Sequence, residues 1–107
     1  MKEIDISGLL QNLLDNAIEA SEQVADSAKR EISLFVHEKQ LGWYLTVKNS
    51  CVAPGEIDFR TKKRDQENHG YGIGIIREIV TRYDGTIDYI KDESENRVIV
   101  KVFFPRK

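Results

Sequence analysis

The chain has 107 residues, 40% hydrophobic and 32% charged, with 16 Lys and Arg against 18 Asp and Glu for a formal charge of −2. That suits one domain with one core, too apolar for disorder and too evenly charged for a bulk pull toward nucleic acid. No run of about 18 apolar residues offers a membrane span, Met1 to Asp5 carry no apolar signal region, and the lone Cys51 excludes an internal disulfide or a cysteine zinc cage, so the cytosol is the expected compartment.

Ile6 to Val24 reads as a helix, with Leu9, Leu10, Leu13, Leu14, Ala17 and Ile18 forming one broad apolar face and Asp5 or Ser7 as N-cap. Glu31 to Lys39 alternates, with Ile32, Leu34 and Val36 on one face and Ser33, Phe35 and His37 on the other, which is a strand pattern. Gln40-Leu41-Gly42 is a tight turn, and Trp43 to Val47 is the returning strand of a hairpin. From Ser50 to His69 the periodicity stops, and irregular stretches of that length are usually lids or binding loops. Ile75, Ile76, Ile79, Val80 and Tyr83 mark a second amphipathic helix, which Gly85 is expected to end in the left-handed conformation. Thr86 to Lys91 and Arg97 to Phe104 form a second hairpin. Helix, two strands, lid, helix and two strands predict a two-layer α+β sandwich, a mixed, mainly antiparallel sheet with helices on one face. Trp43 and the phenylalanines are expected in the core. The whole chain, 1–107, reads as one domain.

Several groups carry possible chemistry. Asn12 and Asn16 are one helical turn apart, and with Glu19 they lie within about 40° of Asn12 at the border of the apolar face. An amide carbonyl is a hard, neutral ligand suited to Mg²⁺ bound through substrate phosphates. The same residues also suit an ordinary exposed helix face. His69-Gly70-Tyr71-Gly72-Ile73-Gly74 places three glycines at alternate positions before a helix. They permit close backbone approach, and a helix start attracts phosphate, although a plain turn has the same look. The spacing is not the dinucleotide fingerprint. Arg60, Lys62, Lys63 and Arg64 form either a solvated loop or a mobile set of cations for a polyphosphate. Asn49 ends a strand, where its side chain can pair with an adenine edge or start a turn. His37 and His69 do not make a metal site.

Together the order of these elements is more specific than any one of them. Leu10 to Ala20, Leu-Gln-Asn-Leu-Leu-Asp-Asn-Ala-Ile-Glu-Ala, resembles the N box of the GHKL superfamily, which includes gyrase, MutL and the sensor histidine kinases. Gly70-Tyr71-Gly72-Ile73-Gly74 with the following helix resembles its second glycine box. The chain is most similar to the catalytic ATP-binding domain of sensor histidine kinases, in the peptide quorum-sensing and citrate-sensing branches. That resemblance implies a Bergerat-type fold that binds ATP with Mg²⁺. Asn16 then matches the metal-holding asparagine and Asn12 its partner. Gly70, Tyr71, Gly72, Ile73 and Gly74 match the phosphate-side backbone, Lys62 and Lys63 the lid cations, and Phe59 a lid-anchoring aromatic.

Three departures stand out. Asn49-Ser50-Cys51 replaces the family's Asp-x-Gly, keeping an acceptor for the adenine amino group but losing its charge. Glu19 stands where many kinases have a basic residue. Asn12 stands where hydrolytic members have a glutamate, and an amide is a poor general base. The resemblance therefore implies transfer of the γ-phosphate to a histidine on a separate dimerisation and phosphoacceptor helix, with a response regulator downstream. That helix and the family's first strand are not in this chain, which is expected to be the cytoplasmic catalytic part of a larger membrane-anchored sensor, inactive alone. The alternatives are a degenerate module that binds a protein without using ATP, or a serine-phosphorylating relative.

Overall fold

The computed structural model describes residues 1–52 and 70–106, without the side chains of 70–73. Helix α1 spans Glu3–Glu22. Leu9, Leu13 and Ala17, spaced by four, are buried along its inner line. The helix starts earlier than the apolar pattern suggests. Lys2 is the N-cap, with no side-chain bond, so neither Asp5 nor Ser7 caps it. Glu3 and Asp5 sit in the first turn, where negative charge suits the helix dipole. A short 3₁₀ turn, Ser27–Lys29, follows, capped by Asp26, whose carboxylate accepts from the Ala28 N–H.

Strands β1 (Ile32–Lys39) and β2 (Gly42–Ser50) form the first hairpin, with Lys39 paired to Gly42. Gly42 has φ +155°, and a Cβ there would lie 2.1 Å from the Phe104 carbonyl oxygen, so the turn demands glycine. Helix α2 spans Gly70–Arg82. Strands β3 (Thr86–Asp92) and β4 (Arg97–Pro105) form the second hairpin. The hairpins join through antiparallel β2 and β4, giving the sheet order β1-β2-β4-β3. All pairings among the described strands are antiparallel.

The helices cover one face of this sheet. Leu45 and Val47 of β2 and Val98, Val100 and Val102 of β4 pack there beneath Leu9, Leu13, Ala17, Ile76, Ile79 and Val80. Cover is uneven, because α1 lies mainly over β2 and α2 packs on α1 and β3. Edge strand β1 is left in the open, so Ile32, Leu34 and Val36 share the helix-side face yet are exposed. Trp43 and Phe35 are exposed too, against the expectation that they are core. Phe103 packs on Tyr44, ring centroids 4.8 Å apart, and Phe104 borders the core.

Helix α2 also ends differently from its sequence pattern. The left-handed residue is Asp84, φ +57°, not Gly85. The Gly85 N–H donates to the Val80 carbonyl and the Asp84 N–H to that of Thr81, a Schellman closure. Gly85 is required for room, since a Cβ there would be 2.7 Å from the Phe103 carbonyl oxygen and 2.8 Å from the Phe104 ring.

Candidate functional site

The face of α1 that carries Asn12 and Asn16 is the face that meets α2. Asp5, Gly8, Asn12, Asn16 and Glu19 all lie within about 40° of Asn12 around the helix. Asp5 accepts from Arg82 Nη1 at 2.7 Å and from the Tyr83 hydroxyl, and a Cβ on Gly8 would sit 3.5 Å from Ile79 Cδ1. Residues later in α1 therefore meet residues earlier in α2, so the helices run antiparallel. One more turn at the same pace sets Asn12 level with Ile75, and the next sets Asn16 level with the first turn of α2. Both asparagines are half-buried, and Glu19 is exposed.

Asn12 donates from Nδ2 to the Gly8 carbonyl at 2.6 Å, which leaves its Oδ1 as an acceptor. Gly70, Tyr71, Gly72, Ile73 and Gly74 are helical. This differs from a turn ahead of the helix, and the N–H groups offered there are those of the helix's first described turn. Among the described atoms, a Cβ at Gly74 would meet nothing within 4 Å. Lys62 and Lys63, with Arg60, Arg64, Phe59 and His69, lie outside the described residues.

Asn49 lies at the end of β2 on the helix side and is buried. Its Nδ2 donates to the Ser50 carbonyl at 3.0 Å, which points the remaining amide function, Oδ1, as an acceptor. Ser50 ties this corner together. Its hydroxyl lies 3.0 Å from that of Ser21 on α1 and accepts from the Glu31 N–H at 2.9 Å. The helix with the asparagine pair is thus latched to the strand with Asn49. Cys51 follows, buried, with its thiol pKa pushed up by desolvation, so it is an inert packing residue.

Among the described residues no three His, Cys, Asp or Glu side chains cluster as a metal cage. The donor set at hand is neutral amide oxygen, which fits Mg²⁺ held in part by phosphate oxygens rather than a softer ion held by protein alone.

A family model described as GHKL domain matches residues 1–105. The chain belongs to the GHKL family. This GHKL domain is also similar to solved histidine kinase catalytic domains. With the catalytic domain of histidine kinase ThkA in a nucleotide-free form it shares 26% identity at a TM-score of 0.71, over 97% of this chain and 69% of that one. With the Acinetobacter baumannii histidine kinase AdeS the identity is 19% and the TM-score 0.64, over 94% and 45%. With the histidine kinase domain of the Erythrobacter litoralis blue-light activated kinase they are 18% and 0.64, over 94% and 46%. The chain therefore spans about two thirds of the first and under half of the other two. No curated protein matches.

Sequence reasoning missed two groups. The Asp5–Arg82–Tyr83 cluster escaped because Asp5 looks like a cap and Tyr83 like core. The Ser21–Ser50 latch escaped because lone serines carry no pattern.

Proposed function

We propose that this GHKL domain is the ATP-binding catalytic domain of a two-component sensor histidine kinase, working in the cytoplasm. It would present the γ-phosphate to a histidine on the dimerisation and phosphoacceptor helix of its parent, with a response regulator downstream. The observation that carries this reading is the stripe of α1 that holds Asn12 and Asn16 and runs toward the glycine-rich start of α2.

The roles follow from the donor and acceptor inventory. Asn12 and Asn16 would hold Mg²⁺ through amide oxygens, and the metal when bound would neutralise charge on the phosphates. The first-turn N–H groups of α2, from Gly70 to Gly74, would donate to phosphate oxygens. Lys62 and Lys63 would add mobile positive charge. Asn49 Oδ1 would accept from the adenine amino group. Asn12 lacks the basicity to activate water, which favours transfer over hydrolysis. The Asn-Leu-Leu-Asp-Asn-Ala-Ile-Glu-Ala form would place the domain in the peptide quorum-sensing and citrate-sensing branches.

Calorimetric titration with a non-hydrolysable ATP analogue tests this. Binding should require Mg²⁺ and weaken at least about tenfold, about 1.4 kcal/mol, in Asn16→Ala. A folded chain that binds no nucleotide would refute the reading. The uncharged Asn49-Ser50-Cys51 corner favours a second reading, a protein-binding module without ATP use, and that same null result would support it.

A further inference from the structure

The helices cover one face of the four-stranded sheet, and among the described residues no helix lies over the other. An open sheet face is ordinarily polar. This one is aromatic. Alternation puts Phe35 and His37 of β1, Tyr44 of β2 and Phe103 of β4 on it, and the register sets His37 against Tyr44 and Tyr44 against Phe103. The rings of Phe35 and His37 are parallel within 6°, their centroids 6.4 Å apart. Both residues are exposed, Phe35 at 45%.

The chain's formal charge of −2 gives no bulk pull on an anion, but charge is unevenly spread. Besides the paired Arg97, strands β1, β2 and β4 place Lys39, Lys48 and Lys101 on this face and no carboxylate. The acids stand at its rim. Glu31 precedes β1, and Asp88 and Asp92 lie on β3, with Asp92 closed on Arg97 at 2.9 Å. Among the described residues, none of the three lysines is paired with a carboxylate. Instead Lys48 Nζ lies 5.6 Å from the centre of the Phe35 ring, and Lys39 Nζ 5.4 Å from that of Tyr44. An exposed lysine over a ring is held less firmly than a stacked base, so each ammonium group can turn to a phosphate while its ring turns to a base.

Accessible rings and unpaired cations on one flat face match a ligand with planar π faces strung on an anionic thread. We propose that this face binds single-stranded nucleic acid, with bases stacked on Phe35, His37 and Tyr44 and phosphates beside Lys39, Lys48 and Lys101. Four-stranded sheets that bind RNA work in this way, stacking about two or three bases on aromatic side chains. The strand must be single, because a duplex keeps the faces of its bases covered. An acidic peptide would answer the lysines and leave the rings unused. Stacking accepts any base, so the preference is for unpaired strands and not for a sequence. Asn49 and the asparagine stripe lie on the helix side of the sheet, so the inference does not depend on the nucleotide reading.

Fluorescence anisotropy of a short labelled oligothymidylate, titrated with the 107-residue chain, tests it. Saturable binding is expected. With three phosphates neutralised, affinity should fall roughly twentyfold between about 50 and 200 mM salt. Lys101→Ala should weaken binding and flatten that fall to roughly sevenfold. Phe35→Leu keeps an apolar side chain and removes the ring, so it should weaken binding about tenfold, while Phe35→Trp should bind at least as tightly as wild type. Both positions are exposed, so the circular dichroism of each variant should match wild type. No saturable binding, equal affinity for a duplex of the same length, or Phe35→Leu without effect would overturn the proposal. Displacement of the strand by an ATP analogue with Mg²⁺ would also overturn it, by moving the strand to the nucleotide site. Displacement by oligoglutamate, with Phe35→Leu indifferent, would overturn it in favour of an acidic protein partner.

Discussion

Gly74→Ala should separate what the α2 start does for stability from what it does for phosphate. The residue lies inside the helix, and among the described atoms an added Cβ would meet nothing within 4 Å. Alanine loses less backbone entropy in a helix, so the folded state should gain about 0.5–1 kcal/mol. For a domain of this size that raises the melting temperature by roughly 3–6 °C. Phosphates held against the first-turn N–H groups need bare backbone, so the same methyl should weaken nucleotide binding by about tenfold or more, about 1.4 kcal/mol. A thermal melt without nucleotide reads the first effect, and calorimetric titration of Mg²⁺ with an ATP analogue reads the second. A melting temperature that falls would refute the helix argument. An unchanged affinity would refute close phosphate approach at this turn.

Gly85→Ala should act in the opposite direction, because its Cβ would meet the backbone oxygen of Phe103 rather than open space. A loss of about 1–3 kcal/mol in chemical denaturation is expected, and a neutral result would refute the tight fit of the Schellman closure on β4. Asp5 is held below the ordinary carboxylate range, first by the Tyr83 hydroxyl, against the pull of burial, and then by Arg82. A depressed folded-state pKa gives stability that is present above the unfolded value, about 3.9, and lost as pH falls through the folded one. Asp5→Asn should therefore lower the urea midpoint at pH 7, with the gap to wild type closing below about pH 4. A gap that stays constant into acid would show that the Asp5 charge is not what holds the two helices.

Most of the fold was legible because it rests on short-range pattern. Leu9, Leu13 and Ala17 mark the buried line of α1, and the alternation in β2 and β4 marks the sheet face. What escaped depends on distant partners. Asp5 reads as a cap until Arg82 and Tyr83, far along the chain, take its carboxylate. Gly85 reads as the left-handed residue until β4 crowds it and Asp84 takes that conformation. Trp43 reads as core because alternation reports which face a residue takes, not whether a helix reaches it. For the site, spacing placed Asn12 and Asn16 together, and Asn49 at a strand end. That the stripe of α1 with the asparagine pair runs toward the start of α2 needed the tertiary contacts at Asp5 and Gly8.

The clamp at Asp5 also makes the pair of helices a lever. The Lys2 N–H donates to the Tyr83 hydroxyl, and Asp5 holds both Tyr83 and Arg82, so the entry of the chain is tied directly to the last turn of α2. Force applied at Lys2 reaches α2 without passing through the core. A 13-residue helix is about 20 Å long, so a tilt of about 5° at the clamped end swings the glycine end by roughly 1.7 Å. A displacement of that size exceeds the tolerance of a hydrogen bond, so a small push at one end of the domain is enough to make or break a set of contacts at the other.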